Sequence, residues 1–377
     1  MMPQYVIDER ALRRNLEILK SVADAAQVKI LLAQKAYSCT ATYPLCAKYL
    51  AGTAASSLFE ARHGHDNFGG ETHIFSPAYN PEEMPEILSI ADHIVFNSPR
   101  QLKLYADAAR GEGVSVGLRV NPEVSVATTP AYDPCRPSSR LGTTRAALNL
   151  QLATCNSQLA TLSGLHFHCL CEQGTDELEK VLAGFEMKFG DLLPGLEWVN
   201  FGGGHHITRA DYDRDKLVAV IEGFRRRHPG LEIYLEPGEA IALNAGTLEA
   251  TVLEIQPKGE DGIANAILDT SAACHMPDVL EMPYQPPLVG AEKGAGGLFA
   301  YRFGGPTCLA GDEIGVYSFD HALHEGDSVV FGDMAIYTMV KNNTFNGVKL
   351  PDIVLRRENG NLETLRTFSY SDFASRL

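Results

Sequence analysis

The chain has 377 residues, of which 45% are hydrophobic and 21% are charged, and its formal net charge is −15. This length suggests two domains, the composition is that of a folded globular protein, and the acidity argues against binding nucleic acid through clustered Lys and Arg. A cationic small molecule is favoured only weakly, because an acidic balance more often serves solubility.

The first predicted elements are a strand and a helix. Residues 4–8 (QYVID) are typical of a short strand, and apolar residues then recur near helical spacing from residue 9 to residue 26. Asp8 stands directly before this helix, so it is a candidate N-cap.

From residue 28 onward, short apolar runs alternate with amphipathic stretches. Eight runs are predicted as strands: 28–33, 51–57, 72–77, 93–98, 114–121, 162–169, 196–204 and 232–238. Helices are predicted between them at 40–50, 81–90, 99–111, 144–159, 174–191 and 209–228. Strands that alternate with helices at intervals of about 20 to 40 residues predict a parallel (β/α)8 barrel of the TIM type over residues 10–245.

The pattern changes after residue 245. Segments such as GTLEATVLEI and GDSVVFGDM alternate polar and apolar residues between Gly and Asp turns. They predict a second, C-terminal all-β domain over residues 246–377, a β-sandwich or barrel that residues 1–9 can join. The Pro- and Gly-rich stretch 283–297 is predicted as a loop.

The cysteines and the hydropathy indicate the protein's surroundings. Eight cysteines are scattered through the chain, and no apolar run approaches the ~18 residues that a transmembrane helix needs. The chain opens without a signal-peptide pattern. We therefore expect reduced thiols, a cytoplasmic protein and no membrane partner.

Residues suited to chemistry lie at the C-terminal ends of the predicted barrel strands, where barrel enzymes place their active sites. They are Lys35, Asn121, His168, Gly202–Gly204 and Glu236. Lys35 ends a buried apolar run, where desolvation penalises the charged form of a lysine, so a functional reason is expected. Glu236 can hydrogen-bond a protonated heterocyclic nitrogen, although a salt bridge is an equal alternative.

The motif HFHCLC places His166 and His168 on one face of a strand and Cys169 and Cys171 on the other. Because this alternation separates the two pairs, we expect no metal site. His168 is then either a core histidine or a ring packed against a planar cofactor.

Three consecutive glycines allow close backbone approach to an anion such as phosphate, or simply a tight turn. Lysine, glycine loop, glutamate and histidine at one rim together predict pyridoxal 5′-phosphate (PLP). The lysine amine would bond to its aldehyde, and the glutamate would keep its ring nitrogen protonated.

With these motifs the chain resembles the fold type III PLP-dependent decarboxylases, the alanine racemase-like group that includes ornithine and diaminopimelate decarboxylases. The resemblance covers nearly the whole chain through AQKAYS, SSLFEARHG, SRLG, HFHCLCE, NFGGG, EPGEA, GGPTCLAGD, DMAIYT and NTFNG. Within the group, the chain is most similar to the carboxynorspermidine (carboxyspermidine) decarboxylase branch. This branch implies loss of CO2 from a carboxylated triamine.

The resemblance also implies roles for individual residues. Lys35, Glu236 and Cys308 would be catalytic, and Cys308 would enter the active site of the partner in a homodimer. The residues implied to hold the cofactor are Lys35, Arg140, His168, Gly202, Gly203, Gly204, Glu236, Gly238 and Tyr337. The other seven cysteines are assigned to packing.

Two departures from the group are relevant to the ligands. Glu239 stands where many relatives have an arginine after EPG, so the phosphate must be held by backbone amides, Tyr337 and hydroxyls. After the cysteine, the sequence Leu309-Ala310-Gly311-Asp312 replaces the immediate aspartate of ornithine-type enzymes. The candidates for contact with the substrate, including its ammonium groups, are Glu239, His275, Asp278, Glu281, Tyr284 and Asp312.

Three other functions remain open. A diaminopimelate or arginine decarboxylase can use the same scaffold, and so can a racemase, although a racemase needs a second base facing the lysine. A catalytically silent polyamine-regulatory protein is the alternative that is not an enzyme.

Overall fold

The structure, a computed structural model, describes residues 3–150 and 162–377. Most of the predicted helix 144–159 therefore lies outside the described residues. The chain forms two compact units. One contains Arg14–Lys35 and Cys39–Ile241, and the other contains the residues up to Arg13, Ala36–Ser38 and Ala242–Leu377.

The first two elements are those that the sequence predicts. Strand β1 is Gln4–Asp8, and the helix that follows is Glu9–Ala26. Asp8 Oδ1 accepts a hydrogen bond of 2.8 Å from the N–H of Ala11, so the predicted N-cap is confirmed.

The unit that contains Lys35, here called the barrel unit, is a closed barrel of eight parallel strands, as predicted. The strands are β2 (Lys29–Ala33), β3 (Gly52–Ala55), β4 (Glu71–Phe75), β5 (His93–Phe96), β6 (Ser115–Arg119), β7 (Gly164–His166), β8 (Trp198–Asn200) and β9 (Glu232–Leu235). Most are shorter than the apolar runs that predicted them, because those runs continue into buried loops at the strand ends. Pairing of β2 with β9 closes the barrel.

Helices follow most of these strands. They are Tyr43–Cys46, Leu58–Asn67, Met84–Ile90, Pro99–Gly111, Thr175–Phe189, Arg214–Arg227 and Glu239–Ala242. The predicted helix 40–50 is reduced to a 3-10 turn and the short helix Tyr43–Cys46. The helix Leu58–Asn67 was not predicted, because the residues that it buries, Leu58, Ala61 and Gly64, include two of the smallest side chains.

The barrel interior is filled by side chains at its centre. Trp198 lies across the barrel, and its Nε1 donates a 2.9 Å hydrogen bond to Ser115 Oγ. A Cβ at Gly164 on the neighbouring strand would lie 2.0 Å from the Trp198 indole. Glycine at position 164 therefore makes room for the indole, and the interior is a packed core rather than a channel.

A charged cluster occupies the N-terminal end of the barrel strands, opposite the predicted active site. Lys29 Nζ lies 2.5 Å from Glu71 Oε1 and 2.8 Å from Glu232 Oε1, and His73 Nε2 lies 2.9 Å from Glu71 Oε2. Burial by itself would raise the pKa of Glu71, but hydrogen bonds from His73 and Lys29 outweigh it and lower this pKa to about 2. Glu71 is therefore an ionised, stabilising partner.

The same cluster brings three potential metal ligands together. The ligand atoms of Glu71, His73 and His93 lie within 4.8 Å of one another. However, the Lys29 ammonium already binds Glu71, and the rings of His73 and His93 stack at 4.0 Å with an interplanar angle of 8°. Nitrogen lone pairs of parallel rings do not converge on one ion, so a packed polar cluster accounts for this arrangement.

The Glu71 cluster gives a pH-dependent prediction. We expect Glu71→Gln to lower the free energy of unfolding by about 2 kcal/mol at pH 7, because folding lowers the carboxylate pKa from 4.5 to about 2 and partial exposure to solvent weakens the resulting stabilisation. Because its pKa is lower in the folded state, the Glu71 carboxylate stabilises the folded protein at pH values above 4.5, the pKa in the unfolded state. This stabilisation is lost as the pH falls towards 2. Urea unfolding of both proteins at several pH values measures the difference, which should shrink only below about pH 4.5. A difference that is constant from pH 7 to pH 3 would contradict the ionised role.

The other unit, here called the sheet unit, contains the predicted β domain and β1. Its nine strands form one mixed sheet, with β1 pairing antiparallel to β10 and parallel to β16. Its other strands are β10 (Gly246–Gln256), β11 (Ala264–Leu268), β12 (Glu292–Lys293), β13 (Phe299–Gly304), β14 (Glu313–Phe319), β15 (Ser328–Gly332), β16 (Asp352–Arg356) and β17 (Leu362–Arg366). The predicted loop 283–297 holds the two-residue strand β12.

Short helices complete the sheet unit: Ala272–His275, Asp278–Glu281 and Tyr370–Ala374. The core of the unit is a cluster of buried aromatic and aliphatic side chains that includes Tyr5, Phe303, Tyr317 and Phe331. In the part of the chain that the structure describes, the helices all lack the length or the apolar character needed to span a membrane.

Candidate active site

Residues predicted to act together meet at the C-terminal ends of the barrel strands. Lys35 lies two residues after β2, His168 lies two residues after β7, and Glu236 directly follows β9. One cavity of the barrel unit is lined by all three side chains and by Arg119 and His166. The rule that strand ends converge in a parallel barrel therefore placed these side chains correctly.

The surroundings of Lys35 favour the uncharged form of its amine. Its side chain is exposed to the cavity, yet protein surrounds it closely enough that burial lowers the pKa of its ammonium, and Arg119 lowers this pKa further. Nearby Glu236 and Glu239 act in the opposite direction but do not cancel the shift. A lowered pKa increases the fraction of nucleophilic amine at neutral pH.

Glu236 is held as a carboxylate by two buried partners. Asn200 Nδ2 donates to Glu236 Oε1 at 2.7 Å, and His166 Nε2 lies 3.3 Å from Glu236 Oε2. Burial by itself would raise the pKa of Glu236, but His166 and Asn200 outweigh it and lower this pKa to about 2. Burial lowers the pKa of His166, although the charge of Glu236 acts in the opposite direction. Each carboxylate oxygen keeps a lone pair for another donor.

Arg119, the last residue of β6, was not among the predicted site residues. Its guanidinium lies 4.5 Å from the ring centroid of Phe75, and its Nη2 donates to the carbonyl of His168 at 3.1 Å. Burial lowers the pKa of Arg119 to about 10, so it is charged at neutral pH. The signal in the sequence is an arginine at a barrel strand end (VGLRVN), the same criterion that selected Lys35.

The glycine loop is fitted closely to its neighbours. Asn200 Oδ1 accepts from the N–H of Gly202 at 2.8 Å, and His168 Nδ1 accepts from the N–H of Gly203 at 2.8 Å. A Cβ at Gly203 would lie 2.3 Å from the carbonyl oxygen of Glu236, so a side chain there would displace that backbone. Asn200 therefore links the glycine loop to Glu236, a role that the NFGGG motif did not reveal.

The remaining predicted residues of the barrel unit surround this centre. Glu239 Oε2 lies 3.0 Å from His206 Nε2, so a histidine partner accompanies the glutamate that replaces the arginine of many relatives. Gly238 is buried beside it, and its carbonyl accepts from the N–H of Ile241. Arg140 is exposed, and it is close enough to Arg119 to help lower the pKa of that guanidinium.

In the sheet unit, Cys308 is exposed at the tip of a loop between β13 and β14. Its N–H donates to Asn346 Oδ1 at 2.7 Å. Tyr337 has a left-handed backbone with φ of 49°, and its N–H donates to the carbonyl of Ala36 at 2.9 Å. The described cysteines form no disulfide.

The acidic candidates of segment 274–284 already have a cationic partner. Lys341 Nζ hydrogen-bonds both Asp278 and Glu281. The Tyr284 side chain is 42% exposed. A cationic substrate group would therefore have to share these carboxylates with Lys341.

His275 and Asp312 are engaged within the sheet unit. His275 is fully buried, and its Nδ1 lies 3.0 Å from Thr270 Oγ1. Asp312 is 4% exposed, and both of its oxygens bind the hydroxyl of Ser271. These placements do not support direct contact of either residue with a substrate.

The barrel unit fits PLP on the evidence of its own residues. Lys35 offers an amine with a lowered pKa, Glu236 offers an ionised carboxylate, and the glycine loop offers backbone that side chains would obstruct. A primary amine for its aldehyde and a carboxylate for its ring nitrogen are groups that this cofactor needs.

Comparisons with known proteins identify relatives along the whole chain. Residues 4–335 match the model of the family described as "Pyridoxal-dependent decarboxylase, C-terminal sheet domain". A carboxyaminopropylagmatine decarboxylase of Synechocystis sp. is 43% identical over 100% of this chain and 95% of its own. A carboxynorspermidine/carboxyspermidine decarboxylase of Campylobacter jejuni is 41% identical over 99% of this chain and 98% of its own.

A solved structure is also similar over its full length. It is the carboxynorspermidine decarboxylase from Campylobacter jejuni in complex with norspermidine, with a TM-score of 0.91, 40% identity and complete coverage of both chains.

Proposed function

We propose, from the premise that this chain belongs to the pyridoxal-dependent decarboxylases, that it removes the α-carboxylate of carboxynorspermidine or carboxyspermidine. The products would be CO2 and norspermidine or spermidine. The observation that carries this proposal is the full-length 41% identity to a carboxynorspermidine/carboxyspermidine decarboxylase, together with Lys35, His168 and Glu236 around one cavity. This reaction would be a step in polyamine biosynthesis.

PLP, when bound, supplies an electron-accepting ring for the electrons of the broken Cα–carboxylate bond. Lys35 would hold the cofactor covalently and yield its place to the substrate amine. Glu236 would accept a hydrogen bond from the ring nitrogen and keep that nitrogen protonated, with Asn200 and His166 fixing the carboxylate. His168 would pack against the ring, oriented by its bond from Gly203.

The glycine loop and its surroundings would hold the phosphate. Gly204 and Gly238 would offer backbone amides, while Gly202 and Gly203, whose N–H groups bind Asn200 and His168, would allow close approach of the backbone. Arg140 and Tyr337 would complete the set by the family resemblance. Glu239 adds no positive charge there.

Cys308 would donate the proton that Cα needs after CO2 leaves. The exposed position of its thiol on a loop tip is suited to reaching a second subunit. We propose a homodimer in which each sheet unit presents Cys308 to the partner's site, and we place the enzyme in the cytoplasm.

The substrate pocket would recognise the ammonium groups of a triamine. Asp278 and Glu281 are the acidic candidates, and the binding site would share them with Lys341. A second candidate substrate is carboxyaminopropylagmatine, because the Synechocystis relative of that name is 43% identical.

A steady-state comparison of substrates tests the proposed function. We expect kcat/KM for carboxynorspermidine or carboxyspermidine to exceed that for diaminopimelate, ornithine and arginine by at least ~10²-fold, because unpaired buried polar groups reject the wrong ligand. Carboxyaminopropylagmatine is included to test the second candidate. CO2 release and optical rotation, measured together, separate decarboxylation from racemisation.

Two outcomes would contradict the proposal. Preferential turnover of diaminopimelate, ornithine or arginine would assign a different substrate class. A colourless protein that does not take up PLP would favour the silent-binding alternative.

A further inference from the structure

The loop that carries Cys308 is anchored at its base by one buried carboxylate. Asp312 Oδ2 accepts from the hydroxyl of Thr307 at 2.7 Å, and Asp312 Oδ1 accepts from the N–H of Ala273 at 3.1 Å. The hydroxyl of Ser271 lies 2.9 Å from both oxygens. The two sides of the loop are thereby joined to the start of the helix Ala272–His275.

The tip of the loop is held by a second segment, the turn Phe345–Gly347. Asn346 Oδ1 accepts from the N–H of Cys308 at 2.7 Å. Asn346 has a φ of 56°, a left-handed conformation that asparagine and aspartate tolerate better than most residues. Asn346 has this backbone conformation while its side-chain oxygen accepts the hydrogen bond from the Cys308 N–H.

The turn Phe345–Gly347 is connected to the same short helix as the loop base. Asn343 Nδ2 donates to the carbonyl of Ala273 at 2.8 Å, and the N–H of Asn343 donates to the carbonyl of Cys274 at 2.9 Å. The thiol of Cys274 lies 3.7 Å from the carbonyl of Phe345. Loop base and loop tip therefore share the helix Ala272–His275 as one support.

We infer that Asn346 is a positioning residue for the proton-donating thiol, fixing the backbone of Cys308 so that its Sγ points in one direction. The inference rests on the proposed function, because it takes Cys308 as the donor to Cα. The hydrogen bond from the Cys308 N–H needs only the side-chain oxygen of Asn346. A substitution that keeps an acceptor oxygen at this position should therefore keep the positioning role. Asp312 anchors the base of the same loop, and we infer this structural role for it in place of contact with the substrate.

The test compares two substitutions at one position. Asn346→Gly keeps the left-handed backbone and removes the acceptor, whereas Asn346→Asp keeps both. We expect Asn346→Gly to lower kcat about 10-fold with KM changed less than about twofold, because a misplaced donor slows proton transfer without weakening substrate binding. We expect Asn346→Asp to retain kcat within about threefold of the parent protein.

A matched control tests whether replacing any asparagine of left-handed backbone conformation by glycine lowers kcat. Asn244 has a φ of 53° and lies on an exposed surface of the same unit. Asn244→Gly should leave kcat unchanged. A loss of kcat in Asn244→Gly equal to that in Asn346→Gly would overturn the inference.

A second readout needs neither substrate nor cofactor. Amide hydrogen exchange of the peptide that contains Cys308 should be faster in Asn346→Gly than in the parent protein and unchanged in Asn346→Asp. Unchanged exchange in Asn346→Gly, or equal loss of kcat in both Asn346 variants, would overturn the inference. Normal decarboxylation by Cys308→Ala would instead remove the donor role from the proposed function, so the two failures are distinguishable.

Discussion

Lys35→Ala is expected to lower kcat for the preferred substrate by about 10³-fold or more, because it removes both the covalent anchor and the amine that exchanges with substrate. A neighbour should not replace it, because among the described residues that line the cavity Arg119 is the other Lys or Arg, and a guanidinium is a poor nucleophile at neutral pH. Initial rates of CO2 release measure the loss. The absorbance band of a borohydride-reducible imine should disappear with it.

Controls for this variant come from the same strand. Lys29 lies at the opposite end of β2, so Lys29→Ala should keep the absorbance band even if it lowers stability. Added small primary amines should restore part of the activity of Lys35→Ala. Parent-level turnover in Lys35→Ala would show that another group holds the cofactor.

The second large effect is expected for Glu236→Gln. An amide cannot hold the ring nitrogen of the cofactor in its cationic form, and the loss of a charge-assisted hydrogen bond corresponds to about 10²-fold in kcat. The glutamine side chain is nearly isosteric, and its amide oxygen can still accept from Asn200. Its NH2 group can donate to His166 Nε2 once the ring proton is on Nδ1, so the barrel should fold. The measurement is kcat together with the absorbance spectrum of the bound cofactor.

Glu232→Gln is the matched control for Glu236→Gln. Glu232 begins β9 at the other end of the barrel and binds Lys29. It should retain kcat within about threefold, because it touches none of the cavity residues. Equal losses in the two variants would mean that Glu236 acts through the stability of the barrel.

Much of this organisation follows from the sequence because its signals are local. Eight apolar runs separated by helical segments predict the barrel, and the rule for strand ends then selects Lys35, His168 and Glu236 without any knowledge of their contacts. The cap at Asp8 is predicted for the same reason, since the cap and the N–H that it accepts are three residues apart.

The partners of these residues could not be predicted in the same way. Asn200 reaches Glu236 because β8 and β9 are neighbours with a fixed register, and that register is a property of the closed barrel. Arg119 and His166 join the cavity through the same closure. No local sequence pattern predicts these contacts, and closure of the barrel is what brings these side chains to the cavity.

The partners of the predicted substrate-binding residues could not be predicted from their own segments. Asp278 and Glu281 suggested ammonium binding, but Lys341, about sixty positions along the chain, already binds both. Asp312 was selected by its place after the cysteine, yet its oxygens are occupied by the hydroxyls and amide that anchor the loop. Distant partners decide whether an acidic residue is available.

The covalent role of Lys35 is tested most directly by reducing the PLP-loaded protein with borohydride and mapping the modified peptide by mass spectrometry. We expect one pyridoxyl group per chain, on Lys35, and none on any other lysine. A pyridoxyl group on a different lysine, or an unmodified chain after reduction of the loaded protein, would contradict it.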